Sequence, residues 1–154
     1  MLALPLLAGA VTEHDMLQTT RPELYMRDVS NGQISTAPVL ETEVRMDISG
    51  MISRVVVRQR YRNTSSGWQE GIYVFPLPDT AAVDHMRLWN GERFVEADIE
   101  EKQVAEQIYR EAKAGGQQAG LVRQERSNVF TTSVANIAPR DEIVVEIEYQ
   151  QDVQ

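Results

Sequence analysis

The sequence predicts a mainly β protein, a β-sandwich-like fold with one inserted α-helix at about residues 99–114. Three observations lead there. Residues 40–48, 53–62 and 142–149 alternate apolar with charged side chains, the period of a strand with one face buried. Turn formers punctuate the chain at Ser49-Gly50, Asn63–Gly67, Asn90-Gly91 and Ala138-Pro139-Arg140-Asp141. Only Val104, Ala105, Ile108, Tyr109 and Ala112 recur at helical spacing. One helix among roughly eight short strands is the pattern of a sandwich with a helical insertion.

At 154 residues the chain is long enough for one domain with a proper core. Met1–Val11 is an apolar run too short to span a bilayer, and it closes with Ala8-Gly9-Ala10, the small-x-small pattern of a signal-peptide cleavage site. It reads as a signal-peptide remnant, the alternative being an apolar tail or a strand. Residues 12–35, rich in Thr, Ser, Asn and charge, read as a linker of low order. The folded domain is then expected over 36–152.

Within it, Leu40–Ile48 carries Val44, Met46 and Ile48 on one face and Glu41, Glu43, Arg45 and Asp47 on the other. Ser53–Arg62 answers with Val55, Val57 and Tyr61 against Arg54, Arg58, Arg60 and Arg62. A Ser49-Gly50 turn would set Arg45 opposite Arg54. A turn spanning Ser49–Ile52 sets Asp47 opposite Arg54, Glu43 opposite Arg58 and Glu41 opposite Arg60, so charge selects the latter. Gly71–Phe75 reads as a short strand closed by Pro76-Leu77-Pro78. Val83–Trp89 and Glu92–Ile99 flank Asn90-Gly91, a hairpin signal that pairs Met86 with Val95 and Arg87 with Phe94. Asp98 and Glu101 resemble a capping box for the helix, and Gly115-Gly116 ends it. Gly120–Glu125, Val129–Asn136 and Glu142–Tyr149 complete the strands. The expected core is Val44, Met46, Val55, Val57, Tyr61, Ile108, Ile143, Val145 and Ile147.

Composition excludes several functions. A net charge of −8 argues against nucleic acid as a partner, and the absence of cysteine rules out disulfides and thiolate metal sites. His14 and His85 are far apart in sequence, and no phosphate loop, nucleophile elbow or dinucleotide fingerprint occurs. Asp28-Val-Ser30-Asn-Gly32 and Asp47-Ile-Ser49-Gly-Met51 begin like the Asp-x-Ser-x-Ser metal motif but lack its last serine. Asp98, Glu100 and Glu101 suit a helix N-terminus better than acid–base chemistry. No signature supports an isopeptide between Lys102 or Lys113 and Asn136. The arginine row of 54–62 is read as a cross-strand ladder rather than an anion-binding stripe. Asn63-Thr64-Ser65 fits the glycosylation pattern by a match too short to carry weight. Phe130 and Asn136 are read as structural. The sequence therefore indicates no catalytic residue, no cofactor and no metal.

Three segments carry a family resemblance. They are Tyr73-Val-Phe75-Pro76-Leu77-Pro78 with Ala81-Ala82-Val83; Ile99-Glu-Glu-Lys102 with Ala105, Tyr109, Ala112 and Gly116; and Asn128-x-Phe130-Thr131 with Val134-Ala-Asn136-Ile137-x-Pro139, ending at Tyr149. In this order and spacing they resemble the vault protein inter-alpha-trypsin (VIT) domain over about residues 36–152. The resemblance implies a β-sandwich-type domain of exported or large multidomain proteins, usually placed just before a von Willebrand A domain. It extends to bacterial surface proteins of the sortase-target kind. It implies no catalytic residues. The function expected is a non-catalytic interaction or scaffolding module of an exported or cell-surface protein, with a protein partner or an adjacent A domain. Since no A domain follows before Gln154, the resemblance implies either a fragment or a free-standing version. The alternative is a free-standing β-sandwich that binds carbohydrate or extracellular matrix through Trp68 and Trp89.

Overall fold

Period-two alternation becomes two layers. The computed structural model describes residues 11–97, 120–126 and 129–153. Its elements are α1 (Glu13–Leu17), β1 (Glu23–Asp28), β2 (Ile34–Thr36), β3 (Val39–Ser49), β4 (Ile52–Arg62), β5 (Gln69–Pro76), β6 (Ala81–Asn90), β7 (Arg93–Ala97), β8 (Gly120–Arg126), β9 (Val129–Ile137) and β10 (Glu142–Asp152). The strands form two five-stranded antiparallel sheets, ordered β2-β1-β5-β9-β8 and β3-β4-β10-β6-β7. The mainly β, sandwich-like fold read from the sequence is the fold observed. The helix expected at 99–114, with Ile108, lies outside the described residues.

The inward rows of both sheets share one core. Leu24, Met26, Tyr73, Phe75, Val134 and Ile137 of the first sheet meet Val55, Val57, Tyr61, Met86, Leu88, Ile143, Val145 and Ile147 of the second. Each such aliphatic side chain contributes about 1.5–3 kcal/mol by leaving water. The buried Gln59 carboxamide is satisfied among them. The Tyr61 and Tyr73 hydroxyls donate to Gln59 Oε1 at 3.0 and 2.7 Å. The Tyr61 and Tyr73 rings meet edge to face with centroids 6.2 Å apart. Burial pushes both phenols well above their ordinary pKa of 10.0.

The predicted core is corrected at its margin. Val55, Val57, Tyr61, Ile143, Val145 and Ile147 are buried, but Val44 and Met46 are 58% and 52% exposed. They stand on the core-facing side of β3, opposite Val57 and Val55. Nothing in the described part of the facing sheet covers them, because that sheet ends at β2, a strand of three residues.

The low-order linker at 12–35 is also corrected. Thr12 and Asp15 form a capping box for α1. β1 pairs with both β2 and β5 and buries Leu24, Tyr25 and Met26. Met16 of α1 covers Tyr25, Val74 and Val129 on the outer face of the first sheet. The folded unit thus begins well before residue 36. Apolar residues were present in this segment, at 16–17 and 24–26, but in runs too short to show a period.

Hairpin registers follow charge. β3 and β4 pair as expected, Asp47 with Arg54, Glu43 with Arg58 and Glu41 with Arg60. Ser49 pairs with Ile52, so the turn itself is only Gly50-Met51, with Gly50 at φ 62°. The β6–β7 register differs from expectation by two residues: Leu88 faces Val95, Arg87 faces Glu96 and Trp89 faces Phe94. This puts opposite charges and two aromatic rings across from each other, and it leaves Gly91 at φ 60° in the turn. Asn90, instead of turning, is buried and donates from Nδ2 to the Asn136 carbonyl at 3.4 Å.

Two side-chain positions hold the loops. Asn63 is 2% exposed; its Nδ2 donates to the carbonyls of Gly67 and Ala138, each at 3.0 Å, and its Oδ1 accepts from Ser65 N and Oγ. The nitrogen that glycosylation would modify is thus occupied as a clamp between two turns. Asn136 sits at φ 61° in β9, where two residues oppose one of β5 between the pairs Gln69–Ile137 and Gly71–Val134. Asparagine tolerates this left-handed bulge position better than most residues.

Gly71 lies where β5 crosses beneath its neighbours. A Cβ there would meet Ile137 Cδ1 at 2.9 Å and Leu24 Cδ1 at 3.3 Å. Gly71→Ala should therefore lower stability by about 1–3 kcal/mol in chemical denaturation, through overpacking; an unchanged midpoint would show that the core yields there. The buried phenols set an alkaline limit. Their folded pKa values lie above the unfolded value of 10.0, and burial with the Glu23 hydrogen bond also pushes Tyr25 up to about 12. As pH rises the unfolded chain ionises first, so the stability they confer is complete below about pH 10 and is lost above it. Melting temperatures taken across pH should be flat in this term up to about 10 and fall beyond it, less steeply in Tyr73→Phe.

Candidate functional surface

The outer face of the second sheet carries the charged residues singled out in the sequence. Arg54 lies 3.4 Å from Glu148, Arg58 3.9 Å from Glu146, and Arg60 3.3 Å from Glu41 and 3.9 Å from Glu142. Arg62 bonds Glu142. From β6, Arg87 reaches Glu146 at 2.9 Å and Glu96 at 3.4 Å, and its guanidinium is held charged chiefly by the Glu146 hydrogen bond. The arginines are therefore distributed along a ladder of acids on β3, β7 and β10. A shallow hollow of about 340 Å³ lies over it, lined by Glu41, Glu43, Arg58, Arg60, Glu142 and Val144. With three acids to two arginines it does not suit an anion, and each exposed pair contributes only roughly 0–1 kcal/mol. What the ladder does is set register.

The two tryptophans do not form a joint platform. Trp68 is 53% exposed and precedes β5 of the first sheet, whereas Trp89 is on β6 of the second. Trp89 packs on Phe94, centroids 5.3 Å apart and planes tilted by 43°, and Arg58 lies 5.1 Å from its ring centre. Phe94 remains 52% exposed.

Other candidates resolve into structure. Asp28 Oδ1 accepts from Ser30 N at 2.7 Å and from Ser30 Oγ, an Asx turn joining β1 to β2. His14 and His85 are exposed, on α1 and β6. Among the described residues no three of His, Cys, Asp and Glu are grouped to hold a metal. Phe130 is half-buried against the core. Asp98, Glu100, Glu101, Lys102 and Lys113 lie outside the described residues.

The surface that sequence reasoning missed is the β3 edge. All eleven of its residues are exposed, and Val44, Met46 and Ile48 present an apolar row at 58, 52 and 61% exposure. At the start of β3, beside Val39, a cleft of about 410 Å³ is lined by Arg21, Pro22, Glu23, Thr36, Ala37, Val39, Gln59 and Tyr61. The alternation that marks β3 as a strand says nothing of whether a second layer reaches it.

The sequence has relatives. Residues 39–149 match the vault protein inter-alpha-trypsin domain family. The chain is 32% identical over 142 residues, 92% of its length, to the protein mono-ADP-ribosyltransferase PARP4 of Mus musculus, of which the match covers 7%. It is 29% identical to the mouse von Willebrand factor A domain-containing protein 5A, over 77% of this chain and 15% of that one. It is 26% identical to the inter-alpha-trypsin inhibitor heavy chain H3 of Rattus norvegicus, over 83% of this chain and 14% of that one. The chain thus spans only a small part of each relative, and what it shares with proteins so differently named is this one segment. The chain belongs to the vault protein inter-alpha-trypsin domain family.

Proposed function

We propose that this domain is a non-catalytic interaction and scaffolding module that works beside a von Willebrand A domain. The observation that carries the reading is the ladder: the charged side chains that would otherwise supply chemistry or ligand binding are engaged with one another across the outer face of the sheet. A broad, self-neutralised surface with only a shallow hollow suits protein docking better than capture of a small ligand. The relatives named for A domains supply the partner class. Binding of glycan or matrix by exposed aromatics is the second reading, supported by the exposure of Trp68 and Phe94. We place the module in an exported, cell-surface protein on the strength of the apolar Met1–Val11 run and its Ala8-Gly9-Ala10 ending.

Calorimetric titration of the 154-residue chain with a separately produced A domain of the 5A relative should show saturable binding, with no retention of the chain on immobilised glycans. Absence of binding would remove the A-domain reading; glycan retention abolished by Trp68→Ala or Phe94→Ala would establish the second one. N-terminal sequencing of the protein from its native host should show a mature chain beginning near Val11. A mature chain that still begins at Met1 would end the export reading.

A further inference from the structure

We propose that β3 is a homotypic interface, at which a second copy of this chain pairs antiparallel along the open edge and joins two of the five-stranded sheets into one. The inference rests on the reading of the domain as an interaction module and names one of its partners.

Among the described residues, β3 closes one edge of its sheet and pairs only with β4. An edge strand turns the N–H and C=O of alternate residues to the open side, a template for another strand. Proteins usually blunt such edges by shortening, covering or bulging them. Here the strand runs eleven residues, every one exposed, and its one irregularity lies at its start, between Val39 and Glu41. Its core-facing row, Val44, Met46 and Ile48, continues the apolar surface formed by Val55 and Val57 beyond the reach of the other sheet. A copy pairing edge to edge would lay its own row alongside.

The charge pattern selects one arrangement. The outward row reads Glu41, Glu43, Arg45, Asp47. Two-fold antiparallel registers can be centred on each residue from 43 to 47. Centring on Glu43, Arg45 or Asp47 sets that residue against its own copy. Centring on Val44 sets Glu41 against Asp47. Only centring on Met46 avoids like charges. It sets Arg45 against Asp47 twice, Glu43 against Ser49, Val44 against Ile48 twice, and Met46 against Met46 on the axis. The groups it needs are available. Asp47 faces Arg54 across the hairpin, but Arg54 bonds Glu148, and among the described residues Asp47 has no ion pair. Arg45 is held only by a 3.4 Å contact to Glu43, with both side chains well exposed, so redirecting it costs little. Strand pairing supplies the affinity and this alternation the register.

The absence of cysteine makes the register directly testable. The native chain should show a concentration-dependent monomer–dimer equilibrium in sedimentation. Met46→Cys should form a disulfide-linked dimer on mild oxidation, since facing residues on an antiparallel pair lie about 4.5–5.5 Å apart at Cα, within disulfide reach. Val44→Cys should not, because its counterpart across the axis is Ile48. Val44→Asp combined with Ile48→Asp, at exposed positions, should keep the native melting profile and weaken dimerisation by more than about tenfold. A native chain that stays monomeric at every concentration overturns the proposal and assigns the apolar row to another protein. Equal cross-linking of Met46→Cys and Val44→Cys overturns it as well, by showing collision without register. These measurements use the chain alone, so their failure leaves the A-domain reading to its own titration.

Discussion

The structure depends on β10 being buried between two neighbours and beneath a second sheet. Ile143, Val145 and Ile147 are at most 1% exposed, and the strand pairs along nearly its whole length with β4 on one side and β6 on the other. Because side chains alternate with period two, a slip by one residue on either side would turn the acidic row inward and the isoleucines out. The outer acids of the same strand then serve both neighbours. Glu146 bonds Arg87 of β6 and lies near Arg58 of β4, and Glu142 meets Arg60 and Arg62. One strand thereby fixes the register of the three central strands of its sheet through two independent rows.

Gln59 and Asn63 are buried polar residues answered locally, whereas Ser53 Oγ and Asn90 Oδ1 are buried without a hydrogen-bond partner. Gln59 accepts from two tyrosines, and its Nε2 donates to Thr42 at 3.4 Å. Asn63 ties the loop after β4 to the turn before β10, an arrangement reinforced by Asn63 N donating to the Asp141 carbonyl and by Arg140 reaching the Thr64 carbonyl. Unpartnered, such groups would cost about 1–3 kcal/mol each, so they specify the fold more than they add to its stability. The face that results carries paired charges on the outer side of the second sheet and an apolar row at its β3 edge.

Much of this was legible in the sequence. The alternation of residues 40–48, 53–62 and 142–149 defined three strands, and opposite charges selected the β3–β4 register that the structure adopts. The same logic of paired charges and rings, applied to Arg87, Glu96, Trp89 and Phe94, would have corrected the β6–β7 register, where the Asn90-Gly91 turn signal prevailed instead. Local turn chemistry is worth little against five cross-strand pairs. The reading of the arginines as a ladder likewise followed from charge and spacing.

What the sequence by itself determined is therefore the set of strands from residue 39 onward and the family to which they belong, because periodicity, turns and charge are local or pairwise properties. Only the tertiary structure decided which apolar faces are covered. Val44 and Val57 carry the same side chain and lie opposite each other, yet one is 58% and the other 7% exposed. The difference is the extent of the facing sheet, which ends at β2. Tertiary structure likewise drew residues 12–36 into the fold, since Leu24 and Met26 are buried in one core with residues of β4 and β10 far along the chain. Burial is a property of the assembled layers, and no local pattern encodes how far the opposite layer extends.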